Sequence, residues 1–368
     1  MKIVTVEAFP VSLPLKKPFT IALGSMTHST HAVVRITTDE GIVGYGEAST
    51  WHVVYGYDQP ELVWAIDRYL GPAVKGMEVT DIEAVLARMD AVLPKNLMAK
   101  AGIEIACQDA RAKALGVSLS SMIGGRLKDP VEVIEVVDIV PRQEAAKMAI
   151  QFVQSGLRYL KVKIGLVPKE DIERVRVVRE AVGPDIKLRI DGNQGYDRAS
   201  ALKVCLAMEE LDLQWIEQPL PDWDLEGLAM LADAVHTPIA VDESLYTLHD
   251  VYKIAKAKAA DVINIKVSKC GGITNSLKIA CAAQSVGIPC FLGGCIETGV
   301  GTAAALHFGA CSPNLFPGLE IAGNGPFTDD IIADPFVAQH GVVHLPEGQG
   351  LGVVVNEEKL RLYSRKNE

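Results

Sequence analysis

Several features are scarce or missing in this 368-residue chain, and each gap removes a class of function. No uninterrupted apolar run of roughly 20 residues occurs, so no membrane-spanning helix is expected. Basic residues are outnumbered, 36 Lys and Arg against 46 Asp and Glu. The resulting net charge of −10 argues against a nucleic-acid partner, whose phosphates need a basic face. The seven cysteines are odd in number, scattered, and form no CxxC pair. They read as reduced, mostly buried thiols in a cytoplasmic protein. Met1-Lys2-Ile3-Val4 reads as the start of a strand rather than of a signal peptide. No HExxH, GxSxG or Walker A pattern is present, and Gly348-Gln349-Gly350-Leu351-Gly352 lacks the strand-turn-helix setting of a nucleotide site. Hydrophobic residues, at 49%, are plentiful enough for a large core. The length suits a barrel of about 250 residues plus a smaller partner.

What is present is a register. Lys163, Asp191, Glu217, Asp242 and Lys266 each end, or sit just past, a short β-branched or aliphatic run. Their spacings are 28, 26, 25 and 24 residues (163 to 191, 217, 242 and 266). Such spacing fits strand, loop, helix and loop, repeated, with a polar residue closing each strand. A single Asp or Glu after a strand is ordinarily a helix cap or a solvated loop residue. Independent caps need not fall on successive repeat units, and five in register point to one barrel mouth where strand ends converge. Lys161 and Lys163 lie two apart on one strand and so share a face. Val131 to Ile139 is expected as the first barrel strand, with helix 144–155 after it. Pro289 to Leu292 is expected as the seventh strand and Leu315 to Glu320 as the eighth.

Upstream the pattern differs. Residues 3–9, 31–37 and 42–47 alternate as three antiparallel strands, and helical periodicity runs from Pro60 to about Gly116. Between the first two strands Lys17 to Ser25 reads as a loop, and Trp51 to Tyr57 as a second, unusually aromatic one. Both are candidates for a lid over the barrel mouth. The expected organisation is an α+β domain over 1–125, a barrel over 126–330, and a segment over 331–368 that packs back on the first domain. His28 and His31 are expected to stay outside the barrel constellation.

Three carboxylates on separate strands suit Mg²⁺ or Mn²⁺, hard ions that keep positions open for substrate oxygens. A divalent ion with a lysine on each side suits removal of a proton next to a carboxylate, giving an enediolate.

The residues that carry this arrangement resemble those of the enolase superfamily, and within it the muconate lactonizing enzyme subgroup. The shared motifs are Lys161-Val162-Lys163, Asp191-Gly192-Asn193-Gln194, Ile216-Glu217-Gln218-Pro219, Asp242-Glu243-Ser244 and Lys266-Val267-Ser268-Lys269-Cys270-Gly271-Gly272. The resemblance implies a modified TIM barrel, (β/α)₇β, with an N-terminal α+β capping domain completed by the C-terminal tail. It also implies Asp191, Glu217 and Asp242 as ligands of Mg²⁺ or Mn²⁺, Lys163 and Lys266 as the acid/base pair, and Lys161 as the group that neutralises the substrate carboxylate. Candidate substrate contacts are Ile21 and Tyr55 in the capping loops, with Glu297 and Glu320 after the last two strands. Tyr55 to Pro60, Gly293 to Thr302 and Gly318 to Glu320 with Gly325 to Thr328 are similar to the cycloisomerases. The stretch from Leu319 to Asn324 lacks the Asp-x-Asp usual in dipeptide epimerases, and Ile296-Glu297 departs from the subgroup's common Met-Leu-Glu. The expectation is an isomerase, a muconate cycloisomerase first. An N-acylamino acid racemase, an o-succinylbenzoate synthase or a dipeptide epimerase is the alternative, and a non-catalytic carboxylate-binding barrel is a remote one. The expected partner is a small-molecule carboxylate, and a homo-oligomer is expected.

Overall fold

A computed structural model describes residues 1–320 and 325–365. The first three strands, β1 (Ile3–Ile21), β2 (Gly24–Thr38) and β3 (Val43–Thr50), form an antiparallel meander. Lys17 to Ser25 is not the loop the sequence predicts. Phe19 pairs with Met26 and Ile21 with Gly24, so the hairpin runs almost to its tip, with a register slip between Pro14 and Phe19. The helix Leu97–Ala114 lies directly on β3. Glycine makes this approach possible: a Cβ on Gly44 would sit 2.1 Å from the Ala106 carbonyl, and one on Gly46 2.1 Å from that of Gly102. A side chain at either position would lift the helix off the sheet.

The second body is the barrel. Val131 to Ile139 divides in two: β4 (Val131–Glu132) pairs outward with a strand from the tail, and β5 (Ile134–Val137) enters the barrel. After it come β6 (Tyr159–Lys163), β7 (Lys187–Asp191), β8 (Leu213–Glu217), β9 (Ile239–Val241), β10 (Val262–Ile265) and β11 (Cys290–Leu292). All seven are parallel and adjacent in chain order. Leu315 to Glu320 closes the ring as an eighth segment. Its Glu320 N–H donates to the Leu292 carbonyl at 2.9 Å, and its Leu319 N–H donates to that of Glu132 at 2.8 Å. Helices follow the strands, as the repeat predicts; Arg142–Gln154 follows β5, and Pro168–Val182, which opens with proline at a position where no N–H is needed, follows β6.

Two features join the bodies. The helix Gly299–Cys311 is apolar on nearly every side, Thr302 and His307 apart, and all of its residues are buried, because the capping domain covers the face a barrel helix ordinarily shows to water. The tail returns to the cap through β12 (Val342–Val343), which pairs with β4, and the helix Glu357–Arg365. Arg35 donates two hydrogen bonds to Glu357, at 2.9 and 3.0 Å. The observed architecture is the expected capped barrel. Among the described residues no helix is long and apolar enough to cross a membrane.

Candidate active site

The strand ends do converge. Lys161 and Lys163 on β6 both point inward, Asp191 ends β7, Glu217 ends β8, Asp242 follows β9, and Lys266 follows β10. All six are at least nine-tenths buried. Burying so many charges is tolerable only if they are paired, and they are. Lys163 Nζ donates to Asp191 at 2.5 Å and to the Asn193 side-chain carbonyl at 2.9 Å. Lys161 Nζ lies 2.6 Å from Glu217 and also contacts Glu320. Lys266 Nζ is 2.7 Å from Asp242 and donates to the Tyr55 hydroxyl at 3.0 Å.

The electrostatics follow from the pairing. Burial opposes the charge of Lys161, yet Glu217, Glu320 and Asp191 together hold its ammonium well above the ordinary lysine range. Lys266 behaves likewise: burial works against its charge, but Asp242 dominates with further help from its surroundings. Burial would raise Asp242, but Lys266 and Lys269 hold it below the usual carboxylate range. Glu217 goes the other way, pushed up to about 8 by burial and by Asp191. Glu217 is thus the carboxylate whose charge is least well offset.

As they stand, no three carboxylate, imidazole or thiol side chains among the described residues converge closely enough to hold one ion. In this arrangement lysine ammoniums occupy oxygens of the three expected ligands: Lys163 on Asp191, Lys161 on Glu217 and Lys266 on Asp242. The residues nevertheless fit a divalent cation on two grounds. Glu217 Oε2 and Asp242 Oδ2 are buried and touch ammoniums without hydrogen-bond geometry, so both keep accepting capacity. Charge balance is the second ground: five buried or nearly buried carboxylates (Asp191, Glu217, Asp242, Glu243, Glu320) meet four lysines (161, 163, 266, 269) and Arg189. With one lysine neutral, as a base must be, the set is left net negative, which a divalent ion would offset.

Over this floor lies a cavity of about 470 Å³, a size ordinary for small-molecule sites. Lys163 and Lys266 both line it, as do Ile21, Tyr55 and Glu320. The hairpin tip supplies Phe19, Ile21 and Met26, and the short helix His52–Tyr55 with Trp51 supplies the rest of the roof. Both stretches read as lids therefore do reach the mouth. Glu297 does not: its carboxylate turns back on its own loop to accept the Cys295 N–H at 2.8 Å, and burial with Glu47 nearby pushes it up to about 7. Ile296 takes its place in the lining, with φ at 57°, a left-handed backbone that is strained for a β-branched residue. Ile321 to Asn324 lie outside the described residues, so the stretch compared with Asp-x-Asp is described only as far as Glu320.

Several residues at the site escaped the sequence reading. Lys269, fully buried, donates to the Asp242 carboxylate at 2.6 Å. Asn264 donates to Glu217 at 2.8 Å, and Asn193 to Glu243 at 3.0 Å. Lys269, Asn193 and Glu243 sit inside the motifs quoted above, where a buried neighbour of a strand-end charge is the available signal. His31 stays out of the constellation, as expected, in a buried pair with Glu47 at 2.9 Å.

Residues 3–124 match the family model for the mandelate racemase / muconate lactonizing enzyme N-terminal domain, and residues 143–359 match that for the enolase C-terminal domain-like family. An N-succinyl-L-Arg/Lys racemase from Bacillus cereus is 35% identical, covering 98% of this chain and 97% of its own length. Muconate cycloisomerase 1 from Rhodococcus opacus is also 35% identical, covering 99% of both. Among solved structures, a dipeptide epimerase from Cytophaga hutchinsonii complexed with Mg and D-Ala-L-Val superposes with a TM-score of 0.93 at 31% identity, covering 98% of both chains.

Proposed function

This chain belongs to the muconate lactonizing enzyme subgroup of the enolase superfamily, and from that premise we propose that it is a magnesium-dependent racemase or epimerase of N-acylated amino acids or dipeptides. The observation that carries the reading is the placement of Lys163 and Lys266. They stand on β6 and after β10, with three strands between, and line one cavity from opposite sides. Inverting a carbon requires a base on one face and an acid on the other.

Asp191, Glu217 and Asp242 are the residues that would hold the magnesium, which supplies electrostatic stabilisation to a substrate carboxylate as its charge grows. Lys161, kept cationic by its carboxylate neighbours, neutralises that carboxylate from below. A neutral Lys163 takes the α-proton: the C–H bond breaks, the proton passes to Nζ, and the electron pair moves into the carboxylate to give an enediolate. The Lys266 ammonium returns a proton to the opposite face, its N–H bond breaking as the new C–H bond forms. In the reverse direction the two lysines exchange roles. Asn193 and Tyr55 hold the two amines in place, and Phe19, Ile21 and Trp51 keep water from the enediolate.

Muconate cycloisomerisation is the second reading, favoured by Tyr55 to Pro60 and by Gly293 to Thr302. It needs only one acid/base and a wall that accepts a second carboxylate, whereas this cavity wall carries Glu135 and Asp138. The test is incubation with Mg²⁺ in D₂O of N-succinyl amino acids, dipeptides and cis,cis-muconate. Racemisation with α-deuterium uptake is expected for a member of the first two groups. Lactone formation from muconate, without α-exchange in either of the others, would transfer the assignment to the cycloisomerases.

A further inference from the structure

Toward β5 and the helix Arg142–Gln154 the lining of the cavity changes character. The wall there is largely apolar, with Phe19, Met148 and Phe152, and carries Glu135 and Asp138, the latter near enough to Lys163 to feel its charge. Asp138 is 3% exposed. Its counter-ion is Lys17, 3.3 Å away on the capping hairpin, with a side chain 58% exposed. Glu135 makes no close ion pair among the described residues, and Lys17 and Lys16 act on it only from farther away. Its own strand supplies a backbone N–H, from Val136, and burial pushes its carboxyl upward.

Two carboxylates kept in a mostly buried wall with one close counter-ion between them are costly, and folding alone gives no return for that. The cost is recovered when a ligand brings the cation. Lys17 shows what such a cation would do: an ammonium on a flexible apolar stem, 3.8 Å from the Met148 Sδ, reaching Asp138. From this geometry we infer that the substrate's group remote from its α-carboxylate is a cation on an apolar stem, read by Glu135 and Asp138. The inference rests on the proton-transfer reading above and names its substrate class. The remote cation can belong to the side chain of an N-acyl amino acid or to a residue of a dipeptide. An arginine or lysine side chain has the matching form, with methylenes against Met148 and Phe152 and the charge at the acidic end. A second carboxylate in the same place would meet like charge.

The experiment compares kcat/KM for N-succinyl-L-arginine with that for N-succinyl-L-citrulline, its neutral near-isostere, for N-succinyl-L-norleucine and for N-succinyl-L-glutamate. L-Ala-L-Arg against L-Ala-L-norleucine forms the dipeptide arm. The cationic member is expected to lead in one arm by about tenfold to a hundredfold, the range of a hydrogen bond to a charged group. The arm in which it leads identifies the source of the cation. In Glu135→Gln the arginine-to-citrulline ratio should collapse toward unity, whereas a merely structural role for Glu135 would lower both substrates together. Racemisation of the neutral or acidic derivatives as fast as the cationic ones overturns this inference while leaving the proton-transfer reading intact. Absence of racemisation and α-exchange across every substrate overturns the reading itself. The wild-type comparison decides the matter even if the variant fails to fold.

Discussion

The floor of the cavity and its wall are built by different means. On the floor, strand ends a fixed distance apart carry Lys163, Asp191, Glu217, Asp242 and Lys266, each buried and each in an ion pair. The wall is assembled from a hairpin tip, a four-residue helix and the far side of β5. It is held largely by side-chain packing, such as the Phe19 and Trp51 rings 6.1 Å apart. The barrel cannot shift one floor residue without moving a strand, whereas the wall can change by substitution alone. On the proposed reading the floor fixes the reaction and the wall selects the substrate. Damage to the floor should cost rate by orders of magnitude, and damage to the wall or its seam with the barrel should cost far less.

The largest effect tests the floor itself. Lys163→Ala and Lys266→Ala should each reduce racemisation by roughly 10³-fold or more, since under the proposed mechanism either change removes a group that moves a proton in both directions. Each variant should still exchange the α-proton of one enantiomer in D₂O, and the two should favour opposite enantiomers. Full racemisation by either variant would end the two-base account and with it the claim that the floor fixes the reaction.

Removing the ion comes next. Asp191→Asn withdraws one charge from the set proposed to hold magnesium. Wild-type protein stripped of divalent ions should lose activity, and Mg²⁺ at about a hundred times its Kd should stabilise the fold by about 2.7 kcal/mol, a rise of a few degrees in Tm. The Mg²⁺-dependent rise should shrink in Asp191→Asn. An equal rise in the variant would place the ion elsewhere.

The same division explains what the sequence disclosed. Strand-end residues repeat because the strand-helix unit repeats, so Lys163 to Lys266 could be read locally, and the barrel with them. The wall has no such period. Lys17, Glu135 and Phe152 meet only after the hairpin has folded over the mouth, and nothing in their spacing announces it. Glu297 shows the reverse: its motif was visible, but beside the left-handed Ile296 its carboxylate accepts the Cys295 N–H and does not line the cavity. The split of Val131 to Ile139 into β4 and β5 was equally hidden, because the partner of β4 lies more than two hundred residues downstream at Val342 and Val343.

A smaller effect lies at the seam between cap and barrel. His307, buried in Gly299–Cys311, accepts the Ser120 N–H at Nδ1 and bonds the Leu351 carbonyl through Nε2, both at 3.2 Å. Accepting at Nδ1 requires the neutral ring, and burial depresses its pKa to about 4. In the unfolded chain an ordinary histidine, near 6.5, binds its proton earlier as pH falls. The unfolded state then holds more protons between those values, so stability falls as pH drops from 6.5 toward 4. At pH 5 the loss is about 2 kcal/mol relative to pH 7.5. Urea unfolding of wild type and His307→Asn at the two pH values should show this slope in the wild type, diminished in the variant. An equal slope in both would remove His307 as its cause.

The smallest expected effect sharpens the comparison most, because Tyr55 belongs to the roof but touches the floor. Its hydroxyl accepts from Lys266 at 3.0 Å and lies 3.3 Å from Cys295 Sγ. Burial, with Cys295 beside it, raises its pKa well above the ordinary range, so it remains a neutral phenol. Tyr55→Phe keeps the ring that lines the cavity and removes one neutral acceptor from Lys266. A hydrogen bond of that kind is worth about 1 kcal/mol net, so kcat should fall about fivefold. KM should change little, because the apolar contact surface is kept. The loss should also be one-sided: exchange from the enantiomer whose proton Lys266 takes should slow, while exchange by Lys163, which is held by Asn193 and Asp191, should not. Equal slowing of both enantiomers, or a change confined to KM, would make Tyr55 part of the wall alone, and the division between a floor that reacts and a wall that selects would then be complete.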